Sequence, residues 1–149
     1  MVKRLIQPFV GVDEFKLLSS EETILDILRK KQMEFSKEIW DNEECTVKVP
    51  WVIVRTADHL SFFFAKNRLF KIFIDGGNDS ELPNGIHIGM PIAEAQSIDK
   101  SLEFDEWNED WSSKEGYWIE DGIDDGLISS ITIFIKELLD EDSFEKYEW

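Results

Sequence analysis

The apolar residues of this chain arrive in short runs, Trp51-Val52-Ile53-Val54, Leu60 to Phe64, Leu69 to Ile74 and Ile131 to Ile135, each ended by polar or charged residues. None approaches the roughly 20 residues that cross a bilayer as a helix. Short runs rich in Phe, Ile and Val read as strands. Ala65-Lys66-Asn67-Arg68, between the second and third, is a turn too tight for the crossover that parallel neighbours need. The expected fold is therefore α+β with antiparallel sheet. A length of 149 residues, 42% hydrophobic, suits a single domain over residues 1–149.

Two main helices are expected. After the alternating Phe15-Lys16-Leu17, Ser19 or Ser20 caps a segment that opens with Glu21 and Glu22 and turns Ile24, Leu25, Ile27 and Leu28 to one side. The plan restarts after Gly85: Ile86-His87-Ile88 reads as a strand, and Gly89-Met90-Pro91 opens a short helix through Ile92, Ala95, Gln96, Ile98 and Asp99. Tyr117-Trp118-Ile119 and Ile128 to Ile135 follow as a strand pair. Residues 11–75 and 85–136 thus read either as a degenerate tandem repeat of strand, helix and β-meander or as two sets of core strands that look alike. The layout is comparable to Whirly-like and other duplicated sheet-plus-helix folds. The linker Gly76 to Asn84 is a loop by its composition. Lys136 to Trp149 reads equally as a short amphipathic helix or as an acidic tail.

Charge narrows the partners. Thirty-two Asp and Glu face 16 Lys and Arg, a net charge of -16. Direct binding to nucleic acid is disfavoured, because that affinity comes largely from basic side chains that displace counterions, and an acidic membrane surface is disfavoured for the same reason. The field suits a basic protein partner, or serves solubility alone. Cys45 is the single cysteine, so no intramolecular disulfide forms, and the start of the chain is a poor secretory signal; both fit the cytoplasm.

Signs of catalysis are weak, and the chain is expected not to be an enzyme. His59 falls in a turn and His87 beside isoleucines, while Cys45 lies next to Glu43 and Glu44, which would raise its pKa and blunt its reactivity. No glycine-rich phosphate loop is present. Glu120-Asp121-Gly122-Ile123-Asp124-Asp125-Gly126 lacks the calcium-loop register, so neither metal nor cofactor is expected. A carboxylate-dependent hydrolase stays open only because acids are abundant.

One segment stands out. In Leu102-Glu103-Phe104-Asp105-Glu106-Trp107-Asn108-Glu109-Asp110-Trp111, carboxylates alternate with large rings. Rigid aromatics anchor interfaces, and carboxylates around them pair with arginine and lysine; alternatively Phe104, Trp107 and Trp111 simply cover the core. The candidate partner-binding residues are Asp105, Glu106, Trp107, Glu109, Asp110 and Trp111, with Asp121, Asp124 and Asp125 as a second acidic patch.

The stretch from Gly85 to Ala95, followed by Leu102-Glu103-Phe104-Asp105 and Gly116-Tyr117-Trp118-Ile119-Glu120, resembles small bacterial immunity proteins of toxin–immunity systems, of the contact-dependent growth inhibition type. The resemblance implies a cytoplasmic protein that binds the toxic C-terminal domain of a cognate effector, often a nuclease, and covers its active site or substrate path, with no catalytic residues of its own. An acidic adaptor or regulatory domain for another basic protein is the alternative.

Overall fold

A computed structural model describes residues 4–41, 49–76, 80–122 and 124–149 of the chain. Cys45, residues 77–79 of the expected linker and Ile123 of the acidic loop lie outside the described residues. The chain opens with three short strands, β1 (Arg4–Gln7), β2 (Gly11–Val12) and β3 (Phe15–Lys16), and then enters helix α1 (Glu21–Lys30). Ser20 is the cap: its hydroxyl accepts from the Thr23 amide at 3.2 Å. Glu21 and Glu22 in the first turn and Arg29 and Lys30 in the last complement the helix dipole. Ile24, Leu25 and Leu28 are buried and Ile27 half-buried, so the face expected from the spacing is the face that packs.

Four antiparallel strands follow: β4 (Phe35–Trp40), β5 (Trp51–Thr56), β6 (Leu60–Ala65) and β7 (Arg68–Ile74). A short β8 (Ser80–Glu81) leads to α2 (Ile92–Ile98). Four more strands come next: β9 (Glu103–Asp105), β10 (Asp110–Ser113), β11 (Tyr117–Asp121) and β12 (Ile128–Phe134). The eight form one antiparallel sheet in the order β4-β5-β6-β7-β12-β11-β10-β9. The two meanders therefore meet along their last strands, with Ile74 opposite Ile131, Ile72 opposite Ile133 and Lys71 opposite Phe134. Every residue of β6 is buried, Ser61 included, and that is why it reads as a nearly continuous apolar run.

A second, small sheet in the order β3-β2-β1-β8 includes one parallel pair, β1 with β8, a departure from the all-antiparallel expectation. Ile86-His87-Ile88 corrects another expectation. It forms no strand, only a single bridge from His87 to Glu81, because Gly85 (φ 92°) and Gly89 (φ 93°) turn the chain on either side of it. Pro91 stands just before α2 as its cap residue.

The main core lies between the eight-stranded sheet and the layer made by α1, α2 and the small sheet. Ile6, Val12 and Phe15 meet Phe62, Ile72, Ile119 and Ile133 there. The opposite face is covered at one end by the C-terminal segment, a 3-10 turn (Lys136–Leu139) followed by α3 (Glu141–Glu145). This segment is a docked element: Phe144 and Tyr147 are buried against Phe70, and Trp149 stacks on Phe144 with centroids 5.3 Å apart. Among the described residues, no helix is long and apolar enough to cross a membrane.

Candidate functional site

The aromatic and acidic segment folds as a hairpin at the far edge of the sheet. Asp105 stands opposite Asp110 and Phe104 opposite Trp111. Asp105 closes the turn by accepting from the amides of Trp107 (2.9 Å) and Asn108 (3.3 Å) and from the Asn108 side chain (2.9 Å). These donors favour the ionised form, those of Trp107 and Asn108 backbone first, and hold the Asp105 carboxyl below the usual carboxylate range. Glu109 takes a left-handed conformation (φ 55°) on the way back into β10. The result is a tip from which Trp107 projects 95% exposed, flanked by Glu106 and Glu109.

Trp111 is different. It is half-buried, packs against the main core and meets Phe104 edge-on with centroids 5.2 Å apart. Among the described residues, its indole N–H is buried without a hydrogen-bond partner. Trp111 therefore supports the hairpin from beneath, and Phe104, 49% exposed, offers the second outward ring. The pairing of β10 with β11 sets Trp111 opposite Ile119, which brings Glu120 and Asp121 alongside the hairpin. Phe104, Glu106, Glu109, Asp121 and Gly122 line one open hollow of about 320 Å3. The two expected acidic patches thus share a border at Asp121. Asp124 and Asp125 occupy the exposed turn beyond it, where Asp125 accepts from the Leu127 amide at 3.0 Å.

Asp110 faces away from the tip. It is only 9% exposed and lines a cleft of about 480 Å3 on the open face of the sheet, together with Glu120, Trp118, Thr132, Phe73 and Lys71. Burial, with the nearby charges of Asp105 and Glu120 adding to it, pushes the Asp110 carboxyl up to about 6, and burial also raises Glu120. Lys71 lies over the rings of Phe63 (4.2 Å) and Trp51 (5.7 Å), and burial brings its ammonium down to about 8. Arg55, also at the cleft, is engaged by Glu38 at 3.0 Å. Asn108 of the hairpin reaches the same cleft, so the hairpin forms its rim.

Sequence reasoning missed Lys71, Trp118, Thr132 and Glu120 as a group. Lys71 and Phe73 alternate with Ile72 and Ile74, which places them on the sheet face away from the main core, but alternation does not reveal that a lysine there is covered. A second omission is Asp99, at the end of α2, which gathers the hydroxyls of Tyr117 (2.5 Å), Ser113 (2.5 Å) and Ser101 (2.7 Å). Beside it, a depression of about 750 Å3 opens between Phe9, Pro83, Ile98 and Lys114. The Tyr117 and Asp99 side chains at its floor are bound to each other. Comparison with protein-family models, with curated proteins and with solved structures finds nothing that matches this chain.

Proposed function

We propose that this protein is a stoichiometric inhibitor, an immunity protein that binds the toxic C-terminal domain of a cognate effector in the cytoplasm and covers its basic, substrate-binding surface. A nuclease is the toxin that best fits the electrostatics, since a surface built to hold phosphate attracts a carboxylate-rich one. The observation that carries the reading is Trp107, a large ring 95% exposed at the tip of a hairpin between Glu106 and Glu109, on a chain with a net charge of -16. An indole left in water in the free state gains most by entering a pocket on a partner, and carboxylates around it set register through arginine and lysine. Asp105 and Asp121 border the same surface, and Phe104 extends it.

The test first looks for a large secreted effector with a variable C-terminus encoded immediately upstream, and then uses the C-terminal domain of that effector. Titration calorimetry should show that Trp107→Ala weakens the complex by about 2 kcal/mol or more, and that Glu106→Lys with Glu109→Lys weakens it further. Neither variant should melt below the parent, because none of these side chains is buried. Unchanged affinity in the two variants would sink the assignment of the hairpin as the interface.

A further inference from the structure

The cleft on the open face holds charges of both signs that the fold does not neutralise. Asp110 is nine-tenths buried, yet among the described residues no hydrogen bond or ion pair reaches its carboxylate; Glu120 beside it is exposed, and its carboxylate is likewise unpaired among the described residues. Lys71, at the other end, has two aromatic rings and, among the described residues, no carboxylate within ion-pair distance. The two ends do not satisfy each other although they line one cavity. Topology explains why: Lys71 is on β7, and β12 stands between it and the strands of Glu120 and Asp110. Lys71 also leans the other way, over Phe63 and Trp51 on β6 and β5.

A covered charge without a partner is costly, and functional clefts are where such costs are retained. Between the two ends run Phe73, Thr132 and Trp118, a mostly apolar floor. We propose that this cleft binds a dipolar small molecule, with an ammonium or guanidinium group at Asp110 and Glu120, a carboxylate at Lys71, and a methylene chain lying along Phe73 and Trp118. Neighbouring strands are about 4.8 Å apart, and Lys71 leans outward over β6, so the two ends lie about three strands or more apart and call for a spacer of at least about five carbons. The volume, about 480 Å3, is ample for a molecule of that size. A basic amino acid such as arginine, or an ω-amino acid, has this chemistry. A singly charged ligand would leave one end of the cleft unpaired.

The site stands apart from the inhibitor reading, since it uses the sheet face and not the tip of the hairpin. The experiment titrates the full chain calorimetrically with glycine, 4-aminobutanoate, 6-aminohexanoate and arginine, and with hexylamine and hexanoate as singly charged controls. Affinity should climb with the separation of the charges, and 6-aminohexanoate should bind at least about tenfold more tightly than either control. Asp110→Asn with Glu120→Gln, and separately Lys71→Met, should each cost about tenfold or more against 6-aminohexanoate, while Glu106→Lys with Glu109→Lys leaves it unchanged. The proposal is overturned if no dipolar probe saturates by about 50 mM. It is equally overturned if hexylamine or hexanoate matches 6-aminohexanoate, which requires no variant to fold, or if the cleft variants bind as the parent does.

Discussion

Asp99 and Asp110 are both nearly buried carboxylates, and the structure treats them in opposite ways. Burial alone would raise Asp99, but hydrogen bonds from Ser113, Tyr117 and Ser101 outweigh it and hold the carboxyl below its ordinary range. Its ionised form therefore stabilises the fold above the usual carboxylate pKa, and that contribution disappears as the pH falls through the depressed value. Asp99→Asn, which keeps the shape and loses the charge, should cost about 2 kcal/mol in urea denaturation near neutral pH. Asp110 has the reverse linkage. Because its folded pKa of about 6 exceeds the ordinary 3.8, stability is lost as the pH climbs between those values. Asp110→Asn should accordingly raise stability by about 1 kcal/mol near neutral pH and change nothing below about pH 3, with solvent at the cleft moderating the gain. Denaturation curves of the parent and both variants across pH decide the two signs. Asp105 and Glu120 are the charges that add to the effect of burial at Asp110, so neutralising either should shrink the Asp110→Asn gain. Neither carboxylate's environment could be read from the sequence, where Asp99 is one more polar residue at a helix end and Asp110 one acid among several.

At the scale of elements, what was legible followed from locality. Helix α1 announces itself through Ser20, Glu21 and Glu22 and the spacing of Ile24, Leu25 and Leu28, all within one stretch of chain. Strands β5, β6 and β7 are legible because they are the central strands on the main core and carry mostly Phe, Ile, Leu and Val. The turn between β6 and β7 is legible too: Lys66 and Asn67 both take positive φ, as a two-residue hairpin requires. Strand β4, by contrast, lies at the sheet edge with Ser36, Lys37, Glu38 and Ile39 exposed, so its sequence shows no inward period. The hairpin of β9 and β10 hid for the same reason, although its acids and rings were visible as composition. The cleft was illegible because its parts come from β7, β10, β11 and β12 and meet only once the register is fixed. The C-terminal segment resolves an ambiguity through packing alone. Phe144 sits between Phe70 (5.3 Å) and Trp149 (5.3 Å), with Tyr147 at 5.5 Å, and Tyr147 accepts from the Trp51 indole at 3.4 Å. Phe144→Ala should cost about 3 kcal/mol and release Trp149, an outcome that thermal denaturation and near-ultraviolet dichroism can read together. A loss under about 1 kcal/mol would mean that the segment is a loosely held tail.

For the whole molecule, the net charge of -16 acts in two directions that a single variable can separate. Inside the folded chain the carboxylates repel one another, most where Asp105, Glu106, Glu109, Asp110, Glu120 and Asp121 crowd one end of the sheet, while ion pairs such as Lys37 with Glu21 and Lys31 with Glu14 lie elsewhere. Salt shortens the reach of this repulsion from about 30 Å at 0.01 M to about 8 Å at 0.15 M, so the free protein should become more stable as salt is added. Toward a basic partner the same field is attractive, and it acts mainly before contact, by steering the encounter. Raising salt over the same range should therefore slow association by about tenfold or more and leave dissociation much less affected. Glu106→Lys with Glu109→Lys should blunt both responses, raising the melting temperature at low salt while flattening the salt dependence of association. Melting curves and stopped-flow association rates on one set of buffers would show whether the two responses move together. If the charge-reversed tip left the salt dependence of association intact, the steering field would have to come from acids elsewhere on the molecule. The hairpin would then be a passive rim of the cleft behind it.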